Sequence, residues 1–322
     1  MNRTEKLALA TVVALAMIPM AASAVETRIA RFGVISDTHV TDKGDQSNVI
    51  TVTAAARYFT GGPAKIEAFA KAMNAAKADF VIELGDFSDN PADSTLPQDK
   101  KSAAALAFLK NAESKFALFN GPRYHVFGNH DTDQLSKEQV LSVLANTGIA
   151  AGKSWYSFDQ AGVHCVVIDA SFKTDGTSYA VSNYSWDNTK VPAEEIEWLK
   201  ADLAATKLPT IVFTHQMLNS QEQIEAGFDT NHVIKNAGDI RAILEKSGVV
   251  VAVFSGHYHD GGFQTINGIS YVVVQANAAY GNDASYHNQY STVDVFADGK
   301  NVKVVVAGNG VQKNYVINAS LK

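Results

Sequence analysis

The stretch Val251–Gly262, VAVFSGHYHDGG, decides how the chain is read. It opens as a short apolar run rich in β-branched and aromatic residues, the mark of a strand covered on both faces. It then breaks into Gly256-His257-Tyr258-His259, two imidazoles flanking a tyrosine, with further glycines at 261 and 262. Alternate residues of an extended segment point the same way. His257 and His259 therefore reach one region, and Tyr258 turns away into packing. Taken alone, the pair serves equally as a hydrogen-bonded closure of a sheet edge.

Working outward, five more runs of the same character precede it, around Arg31–Ser36, Phe80–Leu84, Tyr124–Phe127, Val163–Asp169 and Thr210–Thr214. Helical patterns lie between them. Pro63 opens a segment with Ile66, Phe69, Ala70 and Met73 at helical spacing. Ser136-Lys137-Glu138-Gln139 has the form of a capping box, with Gly148 as the expected stop. Ile196, Leu199 and Leu203 make a stripe after Pro192, and Asp239 is expected to cap Ile240, Ile243 and Leu244 before Gly248 ends that helix. Strands alternating with helices predict an α/β sandwich. From Gln264 onward, Asn267-Gly268 and Asp298-Gly299 turns predict hairpins that add antiparallel strands. Lys173–Val191 is expected to be a long polar loop over the body.

The carboxyl ends of these runs carry residues able to hold a metal. The first ends in Asp37-Thr38-His39, the second in Gly85-Asp86, the third in Gly128-Asn129-His130-Asp131, the fifth in His215 and the sixth in His257 and His259. Sites in open α/β sheets form beyond the carboxyl ends of strands. Each motif alone is an ordinary turn or a core histidine. Together they place five of the nine histidines, two aspartates and an asparagine in one topological position, which points to a site. His125, His164, His232 and His287 are expected to be structural or surface residues.

Composition narrows the class. The 322 residues are 46% hydrophobic, enough for a substantial core, and the net charge is −6. Residues 1–24 carry Arg3 and Lys6, an apolar run broken by Pro19, and Ala22-Ser23-Ala24, the layout of a cleaved signal peptide. The domain expected after it is 25–322, with no lasting membrane insertion. The lone Cys165 excludes an internal disulfide and is expected to be buried, which suggests a bacterial periplasmic or secreted protein. The acidic balance and the lack of a basic stripe disfavour nucleic acid as partner. A small phosphorylated or nucleotide-like substrate fits better.

In chain order, Asp37-x-His39, Gly85-Asp86, Gly128-Asn129-His130-Asp131, His215 and Gly256-His257-x-His259 form the motif series of the calcineurin-like metallophosphoesterases, which the chain resembles over nearly all of its length after the leader. The stretches PAKIEAFAKAMNAAKADFVIELGDF, YHVFGNHD and VFSGHYHDGG are most similar to the manganese-dependent ADP-ribose/CDP-alcohol diphosphatase branch. The resemblance implies two mixed β-sheets flanked by α-helices and two metal ions. Asp37, His39 and His259 would hold one ion, Asn129, His215 and His257 the other, and Asp86 would bridge them, a carboxylate being able to offer each ion a separate oxygen. Nitrogen and oxygen ligands together favour manganese, with iron or zinc as alternatives.

The implied activity is cleavage of a phosphoester or nucleotide diphosphate by a metal-bridging hydroxide, with His130 as general acid. Two roles stay open for Asp131: orienting His130 or capping the turn. Purple acid phosphatases of this superfamily carry a tyrosine ligand where Asp89 stands here and lack the first histidine, so no tyrosinate-iron centre is expected. Thr214 stands where glycine often precedes the middle histidine. Phosphomonoesterase and cyclic-nucleotide phosphodiesterase activities share this core, with substrate choice in loops such as Lys173–Val191, where Tyr179, Tyr184 and Trp186 could stack on a base or simply pack. The rival from another class is a silent metal-binding or surface-recognition protein; it predicts loss of a ligand or of the acid, and none is lost here.

Overall fold

The apolar runs become strands because both of their faces are covered. The structure, a computed structural model, describes residues 27–46, 57–181, 183, 185–219, 230–278 and 288–322. The leader, Tyr184 and His287 lie outside the described residues.

In chain order the elements are β1 (Thr27–Ile35), α1 (Gly62–Ala76), β2 (Phe80–Glu83), α2 (Gln98–Phe116), β3 (Arg123–His125), α3 (Lys137–Leu141), β4 (Tyr156–Gln160) and β5 (Val163–Val167). Then follow α4 (Ala193–Ala205), β6 (Thr210–Phe213), α5 (Ala237–Ser247), β7 (Val250–Ser255), β8 (Gly262–Ile266), β9 (Ile269–Val273), β10 (Tyr290–Asp298), β11 (Asn301–Asn309) and β12 (Tyr315–Ser320). One sheet has the order β12-β11-β10-β1-β2-β3, the other β4-β5-β6-β7-β9-β8. Both are mixed. β1, β2 and β3 run parallel with β10 antiparallel to β1, and β5, β6, β7 and β9 run parallel with antiparallel β4 and β8 at the edges.

The sheets pack face to face over Phe32, Val34, Phe80, Cys165, Ile211, Phe213 and Phe254. The Phe32 ring stacks on Phe80 of its own sheet at 4.8 Å and meets Phe213 and Phe254 of the other edge-on at 5.8 and 5.9 Å. Each such side chain stabilises the join by about 1.5–3 kcal/mol. Outside the first sheet, Ile66, Phe69 and Met73 of α1 and Leu109 and Phe116 of α2 cover Ile35 and Val81. Outside the second, Leu199 and Leu203 of α4 and Ile240 and Leu244 of α5 cover Val166, Val212 and Val253. The result is the expected αββα sandwich, and Cys165 lies in its inter-sheet core.

Local signals hold with two corrections. Pro63 sits in the first turn of α1, and both expected hairpin turns join paired strands, β8–β9 and β10–β11. The Ser136/Gln139 capping box is formed, but α3 stops at Leu141 rather than near Gly148, and the Ser142 hydroxyl donates to the Gln139 carbonyl at 2.7 Å. α5 starts after Asn236, so Asp239 lies in its first turn instead of capping it. The Asn236 amide is engaged elsewhere, donating to the Val191 carbonyl at 2.9 Å and accepting from its N–H at 3.1 Å. Gly248 ends α5 at φ 71°, as expected. No helix among the described residues is long and apolar enough to cross a membrane.

Candidate metal centre

The loops leaving β1, β2, β3, β6 and β7 meet at one edge of the sandwich, and they do so in conformations that L-residues avoid. Among the described residues seven non-glycine positions have positive φ, and four belong to the motifs: Asp37 (52°), His39 (45°), Asp86 (55°) and His257 (66°). Each costs about 1–3 kcal/mol and persists only where its surroundings fix it. The Asp37 and His39 amides donate to the Gly85 and Asp86 carbonyls at 3.0 and 2.9 Å, locking the first two loops together. Glycines allow the approach: a Cβ on Gly128 would collide with the Asp86 amide and carboxylate, and one on Gly256 with the Ser36 hydroxyl.

The side chains gather as two groups about Asp86. Asp37, His39 and His259 form one, and Asp86, His215 and His257 the other, with donor atoms in each group within 4.8 Å of one another. His39 Nε2 lies 3.2 Å from His259 Nε2 and 3.7 Å from Asp86 Oδ2. His259 Nε2 lies 3.4 Å from Asp37 Oδ1. Across the centre, His215 Nε2 lies 3.2 Å from Asp86 Oδ2 and 3.1 Å from Asn129 Oδ1. Asp86 Oδ2 is the oxygen that pairs with a histidine of each group, and Oδ1 accepts the His130 amide at 2.8 Å.

These atoms fit cations because they are lone pairs turned on lone pairs. His39 Nδ1 lies 3.2 Å from the Asp89 carboxylate and His215 Nδ1 is 2.8 Å from the Leu84 carbonyl. Both partners only accept, so Nδ1 carries a proton in each ring and Nε2 is the nitrogen turned inward. Asp37 Oδ1 and His257 Nε2 are buried without a hydrogen-bond partner, a costly arrangement in a low-dielectric interior unless a cation balances it. Burial and then Arg57 hold the His39 imidazole down at about 4, keeping it neutral. Burial, with His215 and His232 nearby, pushes His257 well below its ordinary value. Burial also pulls on His215, but Asp86 outweighs it and raises the ring to about 9. A proton therefore competes with a metal for His215 Nε2. The buried His215 is placed like the other ligands, so Thr214 before it does not displace it.

His130 is in neither of these two groups, but it lies close enough to share further ones, with His39 and Asp86 and with Asp89 and Asp133. Its Nδ1 lies 2.8 Å from Asp133 Oδ2 and 3.6 Å from Asp89 Oδ1, and its ring is 5.1 Å from that of His39. Burial opposes the charged form, yet Asp133, Asp89 and Asp86 raise the imidazole to about 10. Of the two roles for Asp131 the geometry gives it the turn. Its Oδ2 accepts the Gly128 and Asp86 amides at 2.9 and 3.1 Å, and its Oδ1 those of Phe87 and Ser88 at 2.9 and 3.3 Å. Asp133, which the motif reading passed over, takes the orienting place.

Asp89 was noticed only for not being tyrosine, yet it links His39, His130 and Lys43, the last at 3.0 Å. His125 pairs with Glu113 at 2.9 Å and His164 with Asp159 and Asp202 at 2.6 and 2.9 Å, so both are structural. His232 departs from expectation, its ring lying 5.1 Å from that of His257. Tyr179 is fully buried and donates to the Ser185 and Asn188 carbonyls, which makes it packing. Tyr258 is buried against the second sheet's outer cluster, as expected, but through a bend rather than strand alternation, since β7 ends at Ser255 and His257 has φ 66°.

Known proteins resemble this chain in sequence and in fold. The chain is 24% identical over 276 residues to a manganese-dependent ADP-ribose/CDP-alcohol diphosphatase of Arabidopsis thaliana, covering 75% of this chain and 83% of that protein. It is 23% identical over 241 residues to a Fibrobacter succinogenes protein named "Probable cyclic nucleotide phosphodiesterase", covering 74% and 75% of the two chains. The crystal structure of a dimetal phosphatase from Danio rerio superposes with a TM-score of 0.72 at 17% identity, over 91% of this chain and all of that one, a likeness of fold. The family model for calcineurin-like phosphoesterases matches residues 30–261. That span carries every motif gathered at this edge, and the chain belongs to the calcineurin-like phosphoesterase family, as a metal-dependent phosphoester hydrolase with ligands for two ions.

Proposed function

We propose that the chain is an exported hydrolase that uses two Mn²⁺ ions to cleave a small nucleotide diphosphate. The observation that carries this reading is the convergence of acceptor atoms on either side of Asp86 Oδ2. Asp37, His39 and His259 would hold one ion, Asn129, His215 and His257 the other, with Asp86 between them. When bound, the ions neutralise the phosphate and supply a nucleophile at neutral pH. The chain's own part is to fix them and to move a proton. His130, held at Nδ1 by Asp133, delivers a proton from Nε2 to the leaving oxygen. The mixed donor set suits borderline ions, and manganese is preferred from the names of the diphosphatases that the chain resembles.

Cyclic-nucleotide phosphodiesterase activity is the second reading, favoured by the likeness to the Fibrobacter protein. The test is product release by the Mn²⁺-loaded protein from a CDP-alcohol, a cyclic nucleotide and an aryl phosphomonoester side by side. Preference for the CDP-alcohol supports the first reading, and turnover of the cyclic nucleotide alone replaces it with the second. No turnover of any would leave the silent-fold rival. Export rests on residues 1–24; a mature amino terminus at Val25, found by sequencing the secreted or periplasmic protein, supports it, and an intact leader on the purified protein contradicts it.

A further inference from the structure

Beside the second group of ligands the structure holds an aromatic wall. The Trp186 ring lies 5.3 Å from that of His232 and 6.3 Å from that of His257, and His232 lies 5.1 Å from His257. The three rings come from three separate connections, β5–α4, β6–α5 and the end of β7. Trp186 and His232 are each half-buried.

The wall is braced. Tyr179 donates its hydroxyl to the Ser185 and Asn188 carbonyls, pinning the turn that carries Trp186 from below. The Lys235 amide donates to the Thr189 carbonyl at 2.9 Å, and Asn236 exchanges two hydrogen bonds with Val191, which ties the Trp186 loop to the His232 segment. That segment is anchored in turn to Met217, two residues past the ligand His215, through bonds of 3.1 and 3.0 Å. Such bracing holds the rings, whose planes are tilted by 47–58° to one another, beside the ligand His257, and the indole of Trp186 is the broadest face among them. A flat, π-bearing group can stack on it without hydrogen-bond readout, since every nucleobase has a π-face.

We infer that the Trp186 indole, with His232 packed against it at a tilt, is a stacking face for the nucleobase of the substrate, so that base-bearing phosphates are selected over base-free ones. This deepens the proposed function and rests on it for the position of the phosphate. Neither residue moves a proton or holds a metal in this account; both determine specificity.

The test is calorimetric binding of AMP and of ribose 5-phosphate to the Mn²⁺-loaded protein. Both are phosphomonoesters of ribose, and only AMP carries a base. The wild type is expected to favour AMP by about 10-fold or more, the size that stacking on an aromatic ring gives. Trp186→Ala should remove most of that preference while ribose 5-phosphate binding stays within about 2-fold, and Trp186→Phe, which keeps a ring, should restore most of it. Equal weakening of both ligands, or loss of bound Mn²⁺ in Trp186→Ala, would overturn the inference, because Trp186 would then merely pack His257. So would equal affinity of the wild type for the two ligands. Preferential hydrolysis of the CDP-alcohol by the wild type upholds the proposed function however the two ligands compare, so the two failures are separate.

Discussion

Among the described residues, the surroundings of His164 and the sandwich edge both join histidine to carboxylates, and they differ in how their lone pairs are met. The buried His164 has a carboxylate on each ring nitrogen, Asp159 at 2.6 Å and Asp202 at 2.9 Å. Two acceptor-only partners require an imidazolium, and a proton on each nitrogen completes the set. At the sandwich edge the count does not close. His39, His215, His257 and His259 turn nitrogens toward carboxylates and toward each other, Asp37 Oδ1 and His257 Nε2 have no hydrogen-bond partner, and four backbones are strained. Proximity of titratable groups is common to both clusters. The difference is whether protons alone can satisfy the lone pairs.

The contrast breaks most sharply at Asp86. Asp86→Ala should lower metal affinity by more than about 100-fold, beyond the cost of losing an outer partner of a ligand, with activity falling alongside. An active variant with normal metal content would remove Asp86 from the bridge. His130→Ala should lower kcat by about 10²–10⁴-fold with both ions retained; metal lost together with activity would move His130 into the coordination sphere.

Asp131→Ala sharpens the distinction between turn and chemistry. It leaves buried amides unpaired and should cost about 1–3 kcal/mol of stability, seen as a lower Tm, whereas Asp133→Asn should slow turnover with Tm nearly unchanged. The opposite pattern would return the orienting role to Asp131. The smallest effect belongs to His164. Burial lowers its pKa, but the hydrogen bonds from Asp202 and Asp159 raise it above its ordinary 6.5 overall. Its ion pairs therefore stabilise the fold fully below that value and fade as pH rises through the raised one. His164→Gln should destabilise by on the order of 1 kcal/mol or less in mild acid and by little in alkali. Equal loss in unfolding experiments at both extremes would contradict the charged pairing.

The parallel strands were legible because covering both faces leaves a continuous apolar signature, as in Val249–Ser255. The ligands were legible because topology places them at strand ends. α2 left little trace: its buried residues are Ala105, Leu109, Ala112, Glu113 and Phe116, two alanines and a glutamate among them, so its periodicity is faint. β4 is an edge strand whose burial is only partial. Asp133 sits three residues past His130 on a 3₁₀ turn, and the HDTD sequence gave no means of choosing between the two aspartates. His232 and Trp186 reach His257 only through long-range packing, which no local pattern records.

The central claim is that the unsatisfied lone pairs at this edge are a two-cation site. Titrating metal-stripped protein with Mn²⁺ near neutral pH tests it most directly. The account predicts two ions per chain, a Tm that rises with bound metal, and affinity that weakens on acidification as protons compete for His215. A chain that binds no Mn²⁺, or whose binding is untouched by Asp86→Ala, would contradict it.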